Sequence, residues 1–485
     1  MAKGFAIHHA LTDHGGIIPS TQVRSSQMGH LFVRAGDGHF CPKCKCWSMV
    51  VKSHDHIIFD DKAVAYVGDQ LTCGAKILPQ QSHVVGESGG ANYATQSNSS
   101  FVDSKNNSSN NFIKDEKYNI SLDDIIAEPF VPLGVPALDG KPSNSTLKFH
   151  GKILAGIFEA ICLEVKKDGK FIEISRVKKL FTANQKFSFK WDGFIDGIYD
   201  SKFYTSLKGV EFRLKGFNGG NEMCLNEKLL HFKYFNKDWM DVYINKKTSY
   251  IYITLRVNMI DGGTYGLDTG WRRVPKSVIK FTQPLQHRTL SFTQLKKMAI
   301  EGMNYHWSRN NKNSSAQNIL LDGKKYEVTI NSIESATNSM PAMPLMFASN
   351  WMSMRSCNWE LSRKTYYNTG YIEFQTISGN PNDSDWEFWE KSFSDKKFKY
   401  VFAHEMGHEI LLAYGGQTYS KMHKGSSSLI SQSPSVGTSY PQSGEIDLMK
   451  YAQGNSRGIP FFEERSIAAE RDVASLLFIA GISKK

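Results

Sequence analysis

At 485 residues the chain is longer than one compact core usually supports, and ~150 residues per domain sets a starting expectation of about three folded units. Apolar residues at 40%, charged at 22% and aromatic at 12% exclude a chain that is disordered throughout, collagen-like or coiled coil from end to end. Lys and Arg number 58 against 47 Asp and Glu, a net +11 spread without a dense basic tract, so no nucleic-acid partner is expected, and no apolar run approaches the ~18 residues of a membrane span. The first stretch, Met1 to His9, lacks the continuous apolar segment of a signal peptide, so synthesis in the cytoplasm without conventional export is expected.

Residues 1–87 read as a small domain of short strands. Leu31-Phe32-Val33-Arg34-Ala35-Gly36-Asp37 is echoed by Ala63-Val64-Ala65-Tyr66-Val67-Gly68-Asp69, a repeat of about 32 residues. So short a segment builds little core and needs a staple. Four of the seven cysteines, Cys41, Cys44, Cys46 and Cys73, crowd into it, while Cys162, Cys224 and Cys357 stand singly. That clustering reads as metal ligation in a reducing compartment, and zinc suits a closed set of four sulfur and nitrogen donors. The order His14-Gly15-Gly16, Gly36-Asp37, Cys41-Pro42, Gly68-Asp69, Cys73-Gly74-Ala75 resembles the PAAR domain, the conical tip of bacterial type VI secretion spikes. The resemblance implies a zinc-stapled β cone whose base sits on the VgrG spike trimer. It implies His14, Cys41 and Cys73 as structural zinc ligands; the fourth position, usually histidine in the family, is given to Cys46, with Cys44 as the alternative. His54 and His56 are spare candidates.

Ser88 to Asn111 holds seven Ser and six Asn in 24 positions, and prolines recur from Pro129 to Pro142, so residues 88–145 read as a linker. From 146 to 262 the period is two. Phe187, Phe189 and Trp191, then Phe212 and Leu214, then Ile251, Ile253, Leu255 and Val257 alternate with polar neighbours, which predicts an antiparallel β-sandwich-like middle domain. Gly262-Gly263 and Gly266 are read as a hinge into an α+β domain over 263–485, with a helix over Ser291 to Tyr305, strands over Tyr326 to Ile333 and Gly370 to Ile377, and a packing helix over Ile467 to Ile479.

Within that last domain His404-Glu405-Met406-Gly407-His408 fits His-Glu-x-x-His on a helix, with Ser394 or Asp395 as its cap and Gly415 as its end. At 100° per residue His404 and His408 share one face, opposite Phe402, Met406, Ile410 and Ala413, and Glu405 flanks the pair as a proton acceptor. A catalytic zinc needs three protein donors and one open position. His423 is expected as the third, because the chain can turn at Gly415-Gly416 and return; Glu445 or Asp447 is the alternative. Tyr414, Tyr419 and Tyr440 lie near enough to serve an oxyanion, and sequence does not choose among them. The pattern resembles the zincin class of metallopeptidases, without the metzincin continuation. Together the two ends resemble a specialised type VI effector: a peptidase toxin made in the bacterial cytoplasm, carried on the spike without a signal peptide, acting on a peptide or protein substrate in a neighbouring cell, and matched by a cognate immunity protein. A structural spike-tip protein with an inert metal site, and a zinc hydrolase of peptidoglycan cross-links, are the alternatives.

Overall fold

A computed structural model of the chain describes residues 2–8, 10–18, 21, 26–27, 30–54, 57–59, 62–79, 85–87, 117–125, 128–265, 285, 287–349, 355–374, 384–429, 432–453 and 456–485. The Ser/Asn stretch from 88 to 111 lies outside them, as do His56 and Gly266. The chain divides into two compact units, Met1–Asn110 and Asn111–Lys485.

In the first unit three extended segments close a ring. Val33 N–H donates to Ala6 O at 2.9 Å, Ala65 N–H to Val33 O at 2.8 Å, and Ala6 N–H to Ala65 O at 2.8 Å. The repeat explains two sides of this triangle. Gly36 and Gly68 take positive φ, 86° and 87°, which lets Asp37 and Asp69 fold back and accept from the N–H groups of Arg34 (2.9 Å) and Tyr66 (2.8 Å). The third side, around Ala6, escapes sequence reading because no Gly-Asp follows it. Inside the ring the core is small: Ala6, Ala10, Val33, Ala65 and Ala75 with Ile18, Val50, Leu71 and Ile77. A core of that volume leaves stability to other bonds.

The second unit opens with antiparallel sheets whose alternation follows the sequence. Lys186–Trp191 buries Phe187, Phe189 and Trp191, and pairs with Leu147–Ala155. Val210–Asn218 buries Phe212 and Leu214 between Phe158–Lys167 and Asn221–Leu230. Tyr250–Val257 buries Ile251, Ile253, Leu255 and Val257. The expected division at residue 262 is not where the structure divides. Tyr250–Val257 pairs antiparallel with Met240–Asn245 on one edge and parallel with Lys324–Glu334 on the other. A parallel neighbour needs a crossover, and the capped helix Phe292–His306 lies within it. One hydrophobic core therefore runs from Ile120 to Ile482. Gly262 and Gly263 lie inside the strand Met259–Tyr265 instead of at a hinge; a Cβ on Gly262 would meet the Met346 side chain at 2.6 Å. The expected linker likewise contains a strand, Asn119–Ile125, paired with Leu147–Ala155.

Three parallel strands, Met259–Tyr265, Met343–Ala348 and Thr365–Asn368, lead to the hairpin Gly370–Phe374 with Ser384–Phe388; positions 375–377 of the expected strand lie outside the described residues. The helix Lys391–Lys421 follows and crosses Phe292–His306 at Gly302, where a Cβ would stand 2.4 Å from Lys399 O. Only glycine allows that approach. The packing helix is Glu470–Ile479. Among the described residues no helix is long and apolar enough to cross a membrane.

Candidate metal centres

The first unit brings His14, Cys41, Cys44 and Cys73 together, with donor atoms all within 4.8 Å of one another. His14 Nδ1 lies 3.4 Å from Cys44 Sγ, 3.6 Å from Cys41 Sγ and 3.9 Å from Cys73 Sγ. Cys46, favoured from the family pattern, is outside the group. The hairpin turns at Lys45 (φ 53°), leaving Cys44 at the tip with its N–H on Cys41 Sγ at 3.4 Å, while Cys46 opens the exposed strand Cys46–Met49. The Cys-x-x-Cys spacing of Cys41 and Cys44 is the signal that favours this pair. A hydrogen bond from Ser48 lowers the Cys73 thiol to about 6, whereas desolvation and the adjacent Cys41 push Cys44 up to about 11. Three thiols this close do not all ionise without a cation among them, and a sulfur-rich set of four suits zinc. His54 is not part of the set; its Nε2 is bonded to Val64 O at 2.8 Å.

In the second unit the helix carrying His404 and His408 starts at Lys391 after Glu390, earlier than either expected cap; Ser394 is buried, and Asp395 accepts from Tyr367 at 2.9 Å. Phe402, Met406 and Ile410 are fully buried, and so, nearly, are both histidines. Gly407 admits Met449 and Trp307, whose atoms a Cβ would meet at 2.6 and 2.9 Å. At Gly416 (φ 74°, ψ −172°) the helix breaks, and a short helical segment to Lys421 folds back. Ser420 fastens the return: its Oγ donates to His408 O at 2.6 Å, and its own carbonyl accepts from His408 Nδ1 at 2.5 Å.

His423 then reaches His404, Nε2 to Nε2, at 3.0 Å. The donor atoms of His404, His408 and His423 lie within 4.8 Å of one another. His404 donates Nδ1–H to Leu448 O at 2.7 Å, as His408 does to Ser420, which fixes the tautomer and leaves each Nε2 a bare lone pair. Among the described residues the buried His423 Nδ1 has no hydrogen-bond partner, and Tyr451 stacks on its ring at 3.6 Å. Burial lowers His404 to about 4, and burial with the neighbouring imidazoles holds His408 and His423 far below the usual range. Three neutral imidazoles facing one another are a donor set suited to a divalent cation.

Glu405 is also buried, and desolvation pushes its carboxyl up to about 8 against the opposing charges of Lys421 and Arg355. It lines two cavities of about 350 Å³ each, one beside His404 and one beside His408 and His423. Neither Glu445 nor Asp447 joins the histidines. Glu445 grips Arg309 with both oxygens at 2.8 and 3.0 Å. Asp447 accepts from Lys424 at 2.8 Å and from Met449 N–H at 2.9 Å, so it shapes the loop whose Leu448 carbonyl holds His404. Tyr414 and Tyr419 are spent on Pro136 O and Asp472, each at 2.9 Å. Tyr440 lines the first cavity. Tyr451 lines both, a position that no local pattern announces.

Residues 9–79 match the PAAR motif, so the His/Cys group and the ring segments around Val33 and Ala65 fall in a region similar to type VI spike tips. A PAAR motif implies type VI secretion and docking on a VgrG spike, and in that sense the chain reads as a type VI spike-tip effector. No curated protein matches the chain. Among solved structures, a GH3 beta-glucosidase from Bifidobacterium adolescentis aligns at 13% identity over 23% of this chain and 17% of its own length, with a TM-score of 0.12, a likeness that carries no argument.

Proposed function

We propose that the second unit is a zinc-dependent peptidase, carried as the toxic cargo of a type VI spike tip. The observation that carries this reading is the convergence of His404, His408 and His423 with Glu405 alongside and open to two cavities. Zinc held by three imidazoles would supply Lewis acidity toward a scissile carbonyl and a water. The chain's own residues divide the remaining work. Leu448 and Ser420 carbonyls orient two of the imidazoles. Glu405, which lines both cavities, accepts the proton of the attacking water and returns it to the leaving amine nitrogen. A producing cell would need a cognate immunity protein.

Glu405→Gln tests the assignment. Peptide hydrolysis, or toxicity when the protein is expressed in a susceptible host, should fall by about 10²-fold or more, with zinc content and thermal unfolding unchanged. Undiminished hydrolysis overturns the mechanism, and a zinc-loaded wild type without hydrolysis or toxicity favours a spike-tip protein with an inert site.

A further inference from the structure

The two cavities beside Glu405 share Arg355 and Tyr451 and differ in the rest of their lining. The one beside His404 is walled mainly by aromatic side chains, among them Trp389, Phe398, Tyr400, Tyr440 and Phe462, with Lys397 as its other cation. The other, bordered by His408 and His423, is walled by Lys421, Arg355, Asn358, Gln432 and Trp359. Glu405, the proposed proton carrier, is its sole acid among the described residues.

Lys421 is the unusual member. It ends the segment that folds back from Gly416, and only 4% of it is exposed. Its Nζ donates to Asn358 O at 2.5 Å and lies 5.6 Å from the centre of the Trp359 ring. Among the described residues no carboxylate lies within ion-pair distance of it; Glu409, on the same helix, is paired with Arg363 at 2.5 Å. Glu409 and Glu405 favour its charge from beyond ion-pair distance, yet an ammonium with three donors, removed from water and with no anion in direct contact among the described residues, is costly, and such sites ordinarily hold a partner. Arg355 adds a second cation at the exposed rim, where its Nη2 donates to Gln432 at 2.8 Å. Asn358 is committed, its Nδ2 donating to Glu405 O at 2.6 Å, so it is the two cations, with the Gln432 amide beside them, that form a receptor for a carboxylate around this small space next to the reacting centre.

We propose that this cavity is an anion-selective subsite, which seats a substrate carboxylate beside the scissile bond on the His408 side of the centre. The proposal rests on the peptidase reading. Two sources supply that group: an Asp or Glu side chain flanking the bond, or the free C-terminus of a peptide cut near its end.

The zinc-loaded full-length protein is offered matched peptides carrying Glu or Gln at each position flanking the cut, each with a free or an amidated C-terminus. A preference of about 10–100-fold in kcat/KM for the carboxylate form is expected, the size of one charge-assisted contact. Loss of cleavage with Gln identifies the side chain as the source; loss on amidation identifies the terminus. Lys421→Met should reduce the ratio to a few-fold, while Lys421→Arg should retain most of it. Where Lys421→Met fails to fold, Arg355→Gln at the rim should lower the same ratio. In parallel, zinc-loaded Glu405→Gln protein is titrated with the same peptides, fluorescently labelled, and Kd should show the same preference. Equal kcat/KM and equal Kd for charged and neutral forms overturn the subsite. Absent cleavage with a Lys421-dependent binding preference overturns the peptidase reading and leaves the subsite standing.

Discussion

At the scale of single residues the centre depends on one choice that the sequence left open. His423 and Glu445 lie within one loop-rich stretch, yet only His423 faces the imidazole pair, because Glu445 is claimed by Arg309, a residue 136 positions earlier. His423→Ala should cut the zinc retained by the second unit after dialysis. Glu445→Gln should leave that zinc in place while costing roughly 2–4 kcal/mol of unfolding free energy, because it strands a buried guanidinium. Metal analysis and urea unfolding on the two variants check both. His404 and His408 were legible because one helical turn relates them. The competition between His423, Glu445 and Asp447 was not, since the cations that occupy the two acids are set by tertiary contact. Cys44 and Cys46 carry the same lesson: a local spacing favoured Cys44, and the family pattern pointed elsewhere.

A buried histidine away from the centre gives the molecule a pH dependence. His306 is held neutral inside the second unit, its Nδ1 bonded to Ser466 O at 2.6 Å, and burial lowers it to about 4. Below the unfolded value of ~6.5 the unfolded chain takes up a proton here that the folded chain refuses, so stability is full above that pH and falls as pH drops toward 4. The loss is on the order of 3 kcal/mol across the window. Urea unfolding between pH 7 and 4.5 should show a shallower decline for His306→Gln than for the wild type; equal slopes would remove His306 from the account.

At the scale of elements, the helix that ends in a fold-back makes the centre. Gly415-Gly416 was readable as a stop. That the chain resumes helix to Lys421 and is fastened by Ser420 was not, because the bonds run back to His408 across the break. The backbone at Gly416, φ 74° and ψ −172°, belongs to a region that side chains avoid. Gly416→Ala should therefore cost about 1–3 kcal/mol, and it should lower zinc affinity too, because the strain is relieved by displacing Ser420 and His423. Calorimetric unfolding with and without zinc separates the effects: a loss equal in both forms would show that the return loop keeps its place. The helix start was misjudged for a related reason. Ser394 and Asp395 are good caps in isolation, but the fold buries one and uses the other to receive Tyr367.

For the whole molecule, alternation along strands was legible and their partners were not. Period two placed Ile251, Ile253, Leu255 and Val257 inward, yet nothing local says that this strand pairs with Lys324–Glu334 across a crossover. The structure predicts where the chain can be cut. Residues 111–485 should fold alone and hold zinc, whereas residues 263–485, lacking the strands Met240–Asn245 and Tyr250–Val257, should be insoluble or unfolded. Circular dichroism and metal content of the two fragments check this, and a folded 263–485 fragment would refute the single-core description.

The closed triangle of hydrogen bonds through Ala6, Val33 and Ala65 has a bearing on dosage. One polypeptide closes that ring with three of its own segments, so the ring is complete without a second copy. A ring completed by one chain carries one copy of whatever follows it, and a single copy reaches many targets only through turnover, a demand that an enzyme meets and a stoichiometric binder does not.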